Sequence, residues 1–227
     1  MRKYNFVRSS AGDMGIGAMI VFIAMVLVAG IAASVLVQTA NKLEIQAMTT
    51  GQQTTTEVAT GLSVDSICAG KGTYNYGPIV GIVTGKLCNM TIAISPRSGS
   101  TDIDISKLTV ELSDSSQKVI LNYTTSLYKD LNVAGVFATK TAFNGSARSF
   151  GLIKIVDADG SLGAAGASNP VLNKGDHALL TITPGKSFSG WVARTHIWGM
   201  VIPEQGAPGT FSFTTPALST STVYSLE

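Results

Sequence analysis

The sequence predicts an α+β protein: a long N-terminal hydrophobic helix followed by an all-β, immunoglobulin-like sandwich domain. Two observations predict it. Met14 to Val37 is a run of 24 residues without a charge. After Gly61 the chain breaks into short apolar runs separated by Gly, Pro, Asn, Asp and Ser. The first pattern suits a helix surrounded on every side by apolar matter, and the second suits short strands joined by turns. The divisions that follow are a leader over residues 1–12, a helix over 13–60 and a β domain over 61–227.

The apolar run would rise ~1.5 Å per residue to ~36 Å, enough to cross the ~30 Å hydrocarbon core of a bilayer. Ile20, Val21, Phe22, Ile23, Met25, Val26, Leu27 and Val28 leave it no polar face. It must be solvated by lipid or by other helices. Arg2, Lys3 and Arg8 precede it, with no acid in residues 1–12. By the positive-inside rule this flank stays in the cytoplasm and the C-terminal bulk lies outside. The leader ends in Ser9-Ser10-Ala11-Gly12, so the small residues stand before the apolar run rather than after it. A conventional secretory signal has the opposite order. A cut at this point removes the basic leader and leaves the helix as the new N-terminus, the layout of type IV pilin-like precursors with a class III signal peptide.

The helix is expected to continue past Val37. Leu43, Ala47, Gly51, Thr54 and Val58 recur every three or four residues, and Gly61 supplies a C-terminal stop. TTGQQTTT over residues 49–56 is poor helix former, because β-branched Thr loses side-chain freedom and Gly costs ~1 kcal/mol. Neighbouring helices could hold it; the alternative is a linker over Thr49–Thr60. The expected strands are Leu62–Cys68, Ile79–Thr84, Leu87–Ser95, Leu108–Ser113, Lys118–Tyr123, Ala134–Phe143, Leu152–Asp157, His177–Thr183, Gly190–Ile202 and Thr210–Thr215. Asp157–Lys174 reads as a long surface loop.

The segment from Gly15-Ile16-Gly17-Ala18-Met19-Ile20 through Ile23-Ala24-Met25-Val26-Leu27-Val28-Ala29 to Ala32-Ala33-Ser34-Val35-Leu36 closely resembles the N-terminus of archaellins, the archaeal flagellins. That family usually has basic residues directly before the leader glycine, where Ser10 and Ala11 stand here. The resemblance implies cleavage between Gly12 and Asp13 by a prepilin-type signal peptidase. It also implies passage through the membrane, and then polymerisation by a membrane-embedded assembly motor into an extracellular archaellum filament. The filament would contain this chain alone or mixed with other archaellins. An adhesive type IV pilin shares this logic, and a membrane-anchored extracellular β domain that never polymerises is the reading from a different class.

The sequons Asn89-Met90-Thr91, Asn122-Tyr123-Thr124 and Asn144-Gly145-Ser146 all lie on the side expected outside. In so Ser- and Thr-rich a chain their number decides little and their position more. Archaellins are commonly N-glycosylated, so the resemblance makes all three candidates. Cys68 and Cys88 read either as a disulfide, suited to an oxidising exterior, or as two buried thiols.

Nothing in the composition suggests an enzyme, a cofactor or a nucleic-acid surface. The chain has 16 basic and 14 acidic side chains; without Arg2, Lys3 and Arg8 the balance is 13 to 14. His177 and His196 each sit in an expected strand, outside any metal-ligand motif. Gly81–Lys86 (GIVTGK) is one residue short of a phosphate loop and is followed by Leu87 where Ser or Thr belongs. Asp157-Ala158-Asp159-Gly160-Ser161 alternates oxygen ligands as calcium loops do, but Ser168 stands where the closing Glu belongs. A turn is the stronger reading there, beside a noncanonical calcium site.

Overall fold

A computed structural model describes residues 10–71, 85–219 and 221–226. The expected strand Ile79–Thr84, most of the GIVTGK stretch and residues 1–9 of the leader lie outside the described residues. The chain divides into Met1–Gln53 and Thr54–Glu227.

Helix α1 runs from Ser10 to Ala59, 50 residues, ~75 Å at helical rise. No proline interrupts it. The Thr49–Thr60 linker alternative is thereby corrected: the Thr-rich stretch is helical. Thr49 shows how: its Oγ1 donates to the Ile45 carbonyl at 2.8 Å, as Thr39, ahead of the stretch, does to the Val35 carbonyl. Hydroxyls spent on the preceding turn do not compete for the ladder. The last turn closes with Thr60 N donating to Thr56 O at 2.8 Å, and Gly61 already bridges to Ala207.

The β domain follows as β1 (Leu62–Lys71), β2 (Leu87–Pro96), β3 (Ile103–Asp104), β4 (Thr109–Asp114), β5 (Lys118–Asp130), β6 (Ser149–Val156), β7 (Val171–Leu172), β8 (His177–Ile182), β9 (His196–Ile202), β10 (Gly209–Thr214) and β11 (Val223–Ser225). Nine of them form one sheet in the order β10-β9-β4-β5-β6-β8-β2-β1-β11; β3 and β7 make a small ribbon. The sheet curls so that β10 meets β1: a Cβ on Gly209 would lie 3.0 Å from Val64, and Leu62 N donates to Ala207 O at 3.2 Å. The inner faces enclose a core that includes Leu62, Ile92, Ile94, Leu112, Leu152, Leu180 and Trp191. All pairings are antiparallel except β5 with β6.

Ala134–Phe143 is not a strand. It forms two 3-10 turns, Val136–Ala138 and Lys140–Phe143. Gly135 at φ 109° breaks the extended path. Ala142 and Phe143 then cover the back of the central strands, packing on Ile153 and Leu179. Buried Thr181 and Thr183 pin this cover by donating to the carbonyls of Ala142 (2.8 Å) and Phe143 (2.7 Å). The expected strand Gly190–Ile202 shortens to His196–Ile202, because Gly190 and Arg194 adopt φ of 78° and 62°. Conversely β5 runs seven residues beyond Tyr123, to Asp130, and the Asp157–Lys174 loop contains β7.

Candidate assembly surface and modification sites

Every described side chain of α1 from Met14 to Thr55 is exposed within the chain, including Phe22 (68%) and Leu36 (69%). Exposing that much contiguous apolar surface is not tolerated in water. Among the described helices only α1 is long and apolar enough to cross a bilayer. Its glycines sharpen the point. A Cβ at Gly15, Gly17, Gly30 or Gly51 would meet nothing within 4 Å. Glycine costs a helix ~1 kcal/mol against alanine, and among the described residues no close packing at Gly15, Gly17 or Gly30 offsets it. In the β domain the opposite holds: a Cβ on Gly199 would come within 2.5 Å of the Glu111 carbonyl, and one on Gly151 within 2.6 Å of the Leu127 carbonyl. Small residues on an apolar helix permit close approach of other helices. Between Met14 and Thr56 the only charges are Lys42 and Glu44, two apart and so on different faces.

The modification candidates separate by burial. Asn89 is 3% exposed, on β2, which is flanked by β1 and β8. A glycan cannot be accommodated on a side chain that the folded domain encloses. Asn122 on β5 and Asn144, just after the second 3-10 turn, are both exposed. Asn144 Oδ1 accepts from Lys186 Nζ at 3.5 Å.

Cys68 and Cys88 are thiols, which corrects the disulfide alternative. Cys68 stands opposite Thr91, and Cys88 lies three residues further along β2, beside the irregularity between Gly70 and Lys71. Neither strand offers the facing position that a bridge requires. Burial pushes the Cys68 thiol up.

The acidic loop gains a member that the sequence pattern did not reach. Asp157, Asp159 and Asp176 bring carboxylate oxygens within 4.8 Å of one another. Asp176, at the entry to β8, is buried and accepts from Ala158 N (3.0 Å), Ser161 Oγ (3.0 Å) and Asn173 N (3.2 Å). Asp159 accepts from Ser161 N at 2.9 Å and from Asn173 Nδ2; these bonds hold its carboxyl below the usual range, the Ser161 backbone contributing most. Asp157 takes Gly160 N at 2.9 Å and Lys154 Nζ at 3.3 Å. The carboxylates serve as the hydrogen-bonded hub of the loop, as a turn requires. His177 pairs with Asp65 at 3.6 Å and His196 with Thr214 at 3.3 Å, far apart in the sheet order.

A long helix that is apolar and exposed from Met14 to Val37, in a chain that continues into a β domain, is the geometry of a membrane anchor or of a filament subunit, and the relatives of the chain decide for the second. The archaeal-type flagellin family model matches residues 12–213, and the chain belongs to that family. It is 40% identical to flagellin B2 of Methanocaldococcus jannaschii, with 100% of both chains covered. It is 38% identical to flagellin B3 of Thermococcus kodakarensis, covering 95% of this chain and 97% of that one. Among solved structures it is similar to the crystal structure of archaeal flagellin FlaB1 from M. jannaschii: TM-score 0.62, 31% identity, 74% of this chain and 97% of that one. It shares a fold with the archaeal flagellum of Methanospirillum hungatei, at TM-score 0.60 and 15% identity over 93% and 98% of the two chains.

Proposed function

We propose that the chain is inserted in the membrane as a precursor, cut between Gly12 and Asp13 by a prepilin-type peptidase, and built by a membrane-embedded motor into the archaellum that drives swimming. Residues 13–60 form the filament core, together with the same helix of other copies and of other archaellins. The β domain from residue 61 clothes the outside and carries glycan on Asn122 and Asn144. The observation that carries this reading is a helix whose large apolar side chains from Met14 to Val37 are exposed, with open space beside Gly15, Gly17 and Gly30 among the described residues. A head-to-tail contact that does not close generates an open polymer. The test is direct: filaments sheared from cells should contain this chain with Asp13-Met14-Gly15 at its N-terminus. Filaments containing intact Met1, or filaments lacking the chain, would refute the proposal.

A further inference from the structure

We propose that the carbohydrate on Asn122 does not extend freely into solvent but folds back along β5 and seats in the groove beside Ile120; this rests on the glycosylation reading above. The groove has a volume of about 380 Å³ and is lined by Gln117, Lys118, Ile120, Ala147, Arg148 and Ser187, among others. Its origin lies in the strand pairing. β5 is bonded to β4 from Lys118 onward, but on its other edge the pairing with β6 begins only at Asn122 opposite Ser149. The strip of β5 before Asn122 therefore has an open flank.

Three features suit this strip to sugar. Ile120 offers an apolar floor, 48% exposed, and the flat faces of a sugar ring, which carry C–H bonds, need such a floor. The rim is polar. Gln117 Nε2 donates to Ser187 O at 2.9 Å, and Ser187 Oγ to Ala147 O at 2.7 Å. The Arg148 guanidinium has no protein partner among the described residues and keeps its donors for ring hydroxyls. The third feature is the tether. Side chains two apart on a strand share a face, so Asn122 projects on the same side as Ile120 and Lys118, ~7 Å from Ile120 along the strand. The Asn122 carboxamide is exposed and has no partner among the described residues. Asn144, by contrast, is already engaged by Lys186. Asn122 lies just beyond the groove's lining, so a covalently attached sugar meets the groove at a high effective concentration and needs only a weak intrinsic affinity to seat there.

The experiment uses sheared filaments and has two readings. Mass spectrometry of the tryptic peptide spanning 119–129 should show glycan on Asn122. Hydroxyl-radical footprinting should then find Ile120 and Arg148 protected in wild-type filaments and uncovered in Asn122→Gln, but not in Asn144→Gln. Bringing Ile120 from 48% exposure down to the roughly one-tenth of a buried residue predicts about a five-fold difference in labelling. If the variant does not assemble, the same footprint on detergent-extracted mature subunits carries the comparison. An unmodified peptide would overturn both the glycan and its seat. A glycan with Ile120 equally labelled in wild type and Asn122→Gln would overturn the seat alone. Strong labelling in both means a free glycan, and weak labelling in both means that a neighbouring copy fills the groove.

Discussion

Replacing Gly30 by leucine separates what the helix needs by itself from what it needs in company. Among the described residues, nothing beyond the helix's own adjoining backbone lies within 4 Å of a Cβ at this position. The substitution therefore meets no clash within the subunit and improves helix propensity by ~1 kcal/mol. That gain applies in membrane and filament alike and cancels from the assembly equilibrium. What does not cancel is the side chain pushed into a close helix contact, ~1–3 kcal/mol for overpacking. Each affected contact is thereby weakened roughly 5- to 150-fold. Leucine is also more soluble in lipid than glycine, so insertion should not suffer. We expect Gly30→Leu precursor at normal levels in the membrane fraction, cut normally before Asp13, with filament yield on shearing collapsed. Filaments of wild-type length and yield from Gly30→Leu would refute the claim that this glycine serves a neighbouring helix. Ala29→Leu should behave in the same way, by the same overfilling.

Gly151→Ala should act inside the subunit instead: its Cβ would stand 2.6 Å from the Leu127 carbonyl and from Thr181 Oγ1. A cost of ~1–3 kcal/mol lowers the melting temperature by ~2–4 °C per kcal/mol in a domain of this size, which calorimetry would read. An isolated β domain begun at Thr60 should melt above one begun at Leu62, and both should remain monomeric by light scattering. Buried Thr60 and Gly61 bond to Thr101, Ser100, Arg97 and Ala207, and fragments that melt together would contradict that account. The Asp159 carboxyl titrates below its unfolded value, so its contribution is present above the ordinary carboxylate pKa and is lost as pH falls through the depressed folded one. The protection of the Ser161 amide, measured against its intrinsic exchange rate at each pH, should therefore fall in that acidic window, and Asp159→Asn should flatten the dependence. Reducing agent should leave the melting temperature unchanged, and alkylation of native protein should reach enclosed Cys88 more slowly than Cys68; a thiol count of zero in denaturant would restore the disulfide.

The helix was legible in the sequence because its cause is local and redundant: a long uncharged run, no proline, and a glycine at the end. Most strands were legible for the same reason, with alternation in β4 and β10 marking one inward face. Ala134–Phe143 was misread because its apolar residues do face a core, though not in strand geometry. Their partners are Ile153 on the next strand and Leu179 on β8, a pairing that only the tertiary fold brings together. β11 went unseen since three residues carry no period. At the acidic loop a pattern tied to fixed spacing looked for its last oxygen at residue 168, whereas the fold supplies Asp176. The sequons were visible as triplets, but only the sheet order distinguishes enclosed Asn89 from exposed Asn122.

The stitching just after the helix has a mechanical consequence. Ala207 N donates to Thr60 O at 2.9 Å, Arg97 N to Gly61 O at 2.9 Å, and Gly61 N to Ser100 Oγ at 2.7 Å. A Cβ on Gly206 would press within 2.3 Å of the Thr60 carbonyl, so only glycine lets the two backbones lie this close. Load entering the domain at Ala59 is thus divided within two residues between the segments around 97–101 and 206–207, which belong to opposite ends of the curled sheet. No single strand has to bear it. In the filament proposed above, a force passing from the helix into the β domain would be spread over the barrel-like wall before any one hydrogen bond gave way.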